Sequence, residues 1–275
     1  MPTKKLVLGE FLRARRARLK PQDVGLTPEP GRRVQGLRRD EVAERAGISV
    51  EYYVRLEQGR DHQISDQVLE SLARALVLDE VSCQYLYRLA LPSPGVAADS
   101  GQPRVSPSVL SMLDQWSTTP AYVFDRNQDI LWANKLATAM AFGYSLEGGN
   151  LVLLHFMATD EGRLDPKWIE NSRAIVAALR FYGDPDDPRM QEIVGELASR
   201  DQDFRLFWAE HEVRPFTSGV APTYVPGFGW ADLSWQALEV PGGHFLNVKL
   251  VDSGSSTAAA VAYIAARLQS PSIEE

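Results

Sequence analysis

Cysteine is almost absent: Cys83 is the one thiol in 275 residues. A lone cysteine makes no internal disulfide and no cysteine-ligated metal cluster, which points to a bacterial-type cytoplasm or any reducing interior. No apolar run approaches the roughly 18 residues of a membrane span, and the basic N-terminus has no signal-peptide core. No membrane partner is therefore expected. Phosphate-cradling glycine loops, the GxGxxG fingerprint and the GxSxG elbow are all missing. His211-Glu212 begins like a zinc-protease HExxH, but Pro215 occupies the second histidine position. Nothing among the 36 acidic residues marks a catalytic pair. The expectation is no enzyme, no metal and no cofactor. Internal repeats and low-complexity tracts are lacking too.

What is present is ordinary globular composition, 44% hydrophobic and 24% charged, which argues against a disordered chain. The length favours two domains. Net charge is −7, unpromising for a nucleic-acid binder, yet the average hides an asymmetry. Residues 1–60 carry 14 Lys+Arg against 8 Asp+Glu, while residues 91–275 carry 13 against 23. Basic charge gathered in one segment suggests a DNA-facing module attached to an acidic partner module.

The stretch 92–106, PSPGVAADSGQPRVS, reads as a linker. Before it, apolar spacing predicts five short helices. Leu8, Phe11, Leu12 and Leu19 share one face of the first, with Arg13, Arg15, Arg16 and Arg18 around it as phosphate candidates. Lys20–Gly36 reads as a long loop. Leu37–Ala46 is a second helix closed by Gly47. Ser49, Ser65 and Asp79 are N-caps for the third, fourth and fifth. After the linker, Ser108–Trp116 reads as helix, and Ala121–Phe124 and Ile130–Ala133 as a hairpin around the Asp125–Asp129 turn. Asn134 caps a helix to about Phe142. Helices follow at Asp165–Phe181, Pro188–Ser199 and Asp203–His211. Two or three strands come next, about Gly229–Leu238 and His244–Asp252, then an Ala-rich helix at Ser255–Leu268. The fold class is an all-α bundle over 1–91, linker 92–106, an α+β domain over 107–268 with an antiparallel sheet, and a tail, 269–275.

The segment LRRDEVAERAGISVEYYVRLEQG, Leu37–Gly59, has the spacing of a helix-turn-helix. Its second helix must turn polar groups outward along the half that enters the major groove. Those positions are Ser49, Val50, Glu51, Tyr52 and Arg55. Arg55 suits guanine O6 and N7, Glu51 a cytosine amine, Val50 a thymine methyl. Arg38, Arg39 and Arg60 are phosphate candidates. Tyr53 is expected inside. A plainer role for Glu51 and Arg55 is an i,i+4 pair on an exposed helix.

AERAGISVEYYVRLEQGR and VLESLARALVLDE resemble the xenobiotic-response-element-like, Cro/repressor-type helix-turn-helix family over about residues 8–91. The family's usual Gln near the start of the second helix is Arg39 here. DVGLTPEPGRRVQGLRRDEVA, PAYVFDRNQDILWANKLATAM and LSWQALEVPGGHFLNVKLVD resemble the MmyB-like subgroup of transcription regulators. That resemblance implies a PAS-like ligand-binding domain over about 106–268, holding a small apolar molecule such as a fatty acid. YVPGFG, Tyr224–Gly229, stands where the family usually shows a His-Pro pair. The large aromatics Trp132, Phe142, Phe156, Trp168, Phe207 and Trp208, with His211, are candidate pocket residues, although core packing accounts equally for such side chains. The functional expectation is a homodimeric regulator reading an inverted repeat of double-stranded DNA under a small effector. The alternative is a regulator whose C-terminal domain is a protein-interaction module without a small-molecule ligand.

Overall fold

The computed structural model describes residues 3–27, 31–60, 64–91, 105–141, 146–157 and 160–269. Most of the expected linker and tail, and Phe142, lie outside the described residues. The chain divides into two compact units. The first comprises Met1–Ala98 with Asp184–Gly195 and Trp208–Arg214; the second comprises Asp99–Gly183, Glu196–Phe207 and Pro215–Glu275.

The first unit holds helices α1 (Lys4–Arg18), α2 (Arg39–Ala46), α3 (Val50–Glu57), α4 (Asp66–Ala75) and α5 (Glu80–Ala90). Local chemistry sets their ends. The hydroxyls of Ser49 and Ser65 accept from Tyr52 N and Val68 N, and the Asp79 carboxylate accepts from Ser82 N. Gly47 follows α2 with φ 66°, a left-handed conformation that glycine adopts without a Cβ penalty. The core of this unit includes Leu8, Phe11 and Leu12 of α1, Leu37, Val42 and Ala43 around α2, and Tyr53 and Leu56 of α3. Leu69, Leu72, Leu86 and Leu89 complete it. Helix α1 crosses α3 so closely that a Cβ on Gly9 would lie 2.4 Å from Glu57 O.

The Arg-rich face of α1 is less free than its sequence suggests. Arg16 Nε donates to buried Glu57 at 2.6 Å, and its Nη1 donates to Leu37 O at 2.9 Å. Arg13 reaches Glu57 O, Arg15 the carbonyl of His211, and Arg18 the carboxylate of Glu212 and the carbonyl of Glu210. These guanidiniums thus have partners within the unit, in addition to the phosphate role that the sequence suggests for them.

The second unit contains α6 (Pro107–Leu113), strands β1 (Ala121–Phe124) and β2 (Ile130–Ala133), and the short helices α7 (Lys135–Ala139), α8 (Leu151–His155) and α9 (Asp160–Arg163). Helix α10 (Pro166–Tyr182) comes next. Helices α11 (Pro188–Arg200) and α12 (Gln202–Ala209) run across both units in the division above. Strands β3 (Ser218–Val225), β4 (Gly229–Val240) and β5 (His244–Leu250) precede α13 (Ser256–Gln269). The five strands form one antiparallel sheet in the order β2-β1-β5-β4-β3.

Strand register decides what each face carries, because side chains alternate. Ala121 pairs with Val248 and Val123 with Leu246, and this face packs on Val105, Val109 and Leu113 beside α6. Tyr122 pairs with Asn247 and Trp235 with Lys249, so these four share the other face. Helices α7 and α13 cover part of that face through Leu136, Met140, Leu233, Val261 and Ile264. Helix α10 packs against β3. Asn134 caps α7 as its sequence position suggests, and Asp165 caps α10, which begins at Pro166.

Candidate DNA-reading helix and ligand cavity

Helices α2 and α3 meet across Gly47 to Ser49, the short turn that a helix-turn-helix requires. Ser49, Val50, Glu51 and Arg55 are exposed. Tyr52 is half-buried, with the Arg55 guanidinium 5.4 Å from its ring centroid. Tyr53 is fully inside, as the apolar spacing indicates. Arg38 stands as N-cap of α2, its backbone N–H donating to Glu41 at 2.6 Å. Arg39 is exposed, yet its Nε donates to Glu57 Oε2 at 2.7 Å. Arg60 is exposed one residue past Gly59.

Glu57 anchors this surface. It is 2% exposed and pairs with Arg16 and Arg39 together. Burial pushes its carboxyl upward, but the two guanidiniums outweigh that and hold it below the usual carboxylate range. One acid thus ties α1, the start of α2 and the end of α3 into a fixed geometry. Glu41 is held at about 2, chiefly by Arg32, which donates to it through Nη1 and Nη2 at 2.5 and 2.6 Å.

The second unit contains a cavity of about 310 Å³ between the sheet and α7, α8 and α10. Leu151, Leu154, Ala174 and Ile175 are among its apolar walls. Tyr122, Asn247, Trp235 and Lys249 line it from the sheet. A further cavity of about 550 Å³ shares His155, Asn171, Ala221 and Pro222 with it and adds Trp168 and Trp230. Such a volume and such a lining suit a small organic ligand. His155 stacks on Trp168, with ring centroids 5.3 Å apart. Its Nε2 lies 2.7 Å from Ser172 Oγ, which donates to Trp168 O, so Nε2 carries the proton. Burial first, and then Arg163, push the imidazole down to about 4, so it is neutral at pH 7. Burial alone pushes the Lys249 ammonium down to about 8 and the Tyr122 phenol up.

The cavity is lined by residues other than the aromatics singled out from sequence. Trp132, opposite Val123, turns to the α6 face of the sheet. Phe156 and Phe207 are buried in an aromatic cluster with Trp168 and Phe204, and of these Trp168 lines the larger cavity. Trp208 and His211 fall in the first unit. Lys249, Asn247 and Tyr122 were missed. For Asn247 and Lys249 the one sequence signal is polar residues at i and i+2 inside the apolar run HFLNVKL, which ordinarily means a solvent face.

The arrangement defines a class: a helix-turn-helix unit joined to a domain with a cavity beside its sheet. A helix-turn-helix domain family matches residues 7–82. The family described as MmyB-like transcription regulator ligand binding domain matches residues 105–263, more than half the chain, and the chain belongs to it. The protein is a DNA-binding transcription regulator with a ligand-binding domain. The curated proteins give no match. Among the described residues, no helix is long and apolar enough to cross a membrane.

Proposed function

We propose that this is a cytoplasmic, homodimeric regulator that reads an inverted-repeat operator through α3 and answers to a small apolar effector, such as a fatty acid, in the cavity of its second unit. Residues 1–91 act as the DNA-binding domain, 92–106 as linker, and 107–268 as a PAS-like effector and dimerisation domain. The observation that carries the effector reading is the cavity itself, walled mostly by apolar side chains, with Tyr122, His155, Asn171, Thr223, Asn247 and Lys249 as its polar groups. The sheet order, with helices inserted between β2 and β3, supports the PAS-like reading. Exposure of Ser49, Val50, Glu51 and Arg55 supports α3 as the base-reading element. A dimer would contact half-sites about 34 Å apart or a multiple of that.

Native mass spectrometry of full-length protein purified without detergent tests this reading. A mass near twice 30.6 kDa plus a releasable small-molecule adduct supports it. A chain that stays monomeric and gains no thermal stability from apolar acids, alcohols or amines contradicts it. One observation favours a second reading, a protein-interaction module: Phe228, Trp230 and Tyr263 are large and exposed, at 54%, 72% and 54%. Under that reading the domain captures a partner protein and ignores small ligands.

A further inference from the structure

Among the described residues, Lys249 is the one Lys, Arg, Asp or Glu that lines the cavity beside the sheet. It sits on β5, which lies between β1 and β4, and so belongs to the middle of the sheet. A lysine inside a fold ordinarily meets a carboxylate. Here no carboxylate lines the cavity, and burial alone pushes the ammonium down to about 8, with no opposing charge or hydrogen bond to hold it up. An ammonium so placed sheds its proton easily. A desolvated lysine without its proton is a nucleophile.

Its neighbours are uncharged. Strand register puts Trp235 directly across from Lys249, and Tyr122 across from Asn247, two residues along the same face. Asn247 is 4% exposed, and its Oδ1 accepts no hydrogen bond among the described residues. Burial pushes the Tyr122 phenol up, so it keeps its proton. His155 comes from α8, neutral at pH 7 and bonded to Ser172. Thr223 comes from β3. Asn171 comes from α10 and spends its amide nitrogen on Lys167 O and Val220 O, at 2.7 and 2.8 Å. Phe216 adds a ring to the wall and meets Trp235 edge to face, with centroids 5.8 Å apart.

We infer that Lys249 is a covalent capture site, whose amine condenses reversibly with an aromatic aldehyde that lays its ring against Trp235 and Phe216. The nitrogen lone pair adds to the carbonyl carbon and gives a carbinolamine. The carbon–oxygen bond then breaks, the oxygen leaves as water with both amine protons, and an imine remains. Nothing is oxidised or reduced. Asn247 Oδ1 is the acceptor at hand for the carbinolamine hydroxyl, and the Tyr122 hydroxyl is the donor for the departing oxygen. Conjugation of the imine with the ring favours an aryl over a saturated aldehyde, and the aromatic wall favours it again. The inference stands apart from the apolar-effector reading, because capture is scored without operator, dimer or apolar acid.

The test is reductive trapping. Full-length protein, stripped of adduct, is incubated at pH 7 with benzaldehyde and cyanoborohydride, which reduces an imine to a stable amine. Peptide mass spectrometry then maps the modified lysines. Lys4, Lys5, Lys20, Lys135 and Lys167 serve as internal controls. At pH 7 roughly one tenth of an amine with a pKa of about 8 is unprotonated, against roughly one in two thousand for an ordinary lysine. Lys249 should therefore be benzylated about tenfold or more faster than Lys135, which is exposed. The ratio of Lys249 to Lys135 labelling should be higher with benzaldehyde than with butanal. Lys249→Arg should lose the adduct on β5 and keep its circular dichroism. Labelling of Lys249 no faster than that of Lys135 overturns the inference in the wild type alone. An equal ratio for the two aldehydes overturns the aromatic class.

Discussion

At the scale of single residues, His155 and Glu57 shape how each unit responds to pH and to mutation. In the second unit, His155 is held down to about 4 against an ordinary 6.5. Between those values the unfolded chain binds a proton that the folded chain refuses, so stability falls as pH drops from 6.5 towards 4. Denaturant melts followed across that window should show the loss, and His155→Gln should flatten it. In the first unit, Glu57 is an anion gripped by two guanidiniums, one of them itself largely buried. Glu57→Ala leaves Arg16 facing Leu37 O without its counter-charge. Removing one partner of such a pair costs about 3 kcal/mol or more. Urea unfolding of the variant should show that shift, and an unchanged midpoint would mean the pair adds nothing to stability.

At the scale of elements, helix α3 carries the recognition argument. Arg55→Ala should weaken specific operator binding by about 1–3 kcal/mol while the fold, read by circular dichroism, stays unchanged. Gel-shift titrations on specific and scrambled duplexes separate that outcome from loss of a phosphate contact, which weakens both alike. Elements whose ends are set locally were legible in the sequence. Ser49, Ser65, Asp79 and Asn134 each cap the helix that their position announces, because a cap needs only the next two or three residues. Strand β3 was not legible: Pro222 interrupts its pattern. The strand tolerates the proline because it is the sheet's edge, with no further strand beside it among the described residues. The short helices α8 and α9 lie below the length at which periodicity speaks. The cavity was illegible for a deeper reason. Whether Lys249 faces solvent or the interior depends on β5 lying between β1 and β4, a pairing across more than a hundred residues. Aromatic bulk does not by itself separate wall from core: Trp132 and Phe156 pack with the core, whereas Trp168 lines the larger cavity.

At the scale of the whole molecule, an effector that changes operator affinity must have its own affinity changed by operator in the same ratio. Coupling of about 1–3 kcal/mol is the usual range. Measuring effector binding with and without saturating duplex should return the factor by which effector shifts duplex binding. Two unequal factors would mean a third species, such as a change in association state, has been overlooked. The cavity wall also supplies its own optical gauge. Trp235 borders the cavity beside Lys249 and is 8% exposed. Indole emission responds to the polarity around the ring, so filling the cavity with an apolar chain should move the protein's fluorescence towards the blue. Six tryptophans contribute to the signal, and the difference between the wild type and Trp235→Phe should isolate this one. Occupancy then becomes readable by light alone, in the unlabelled chain, on the same cuvette in which operator is titrated.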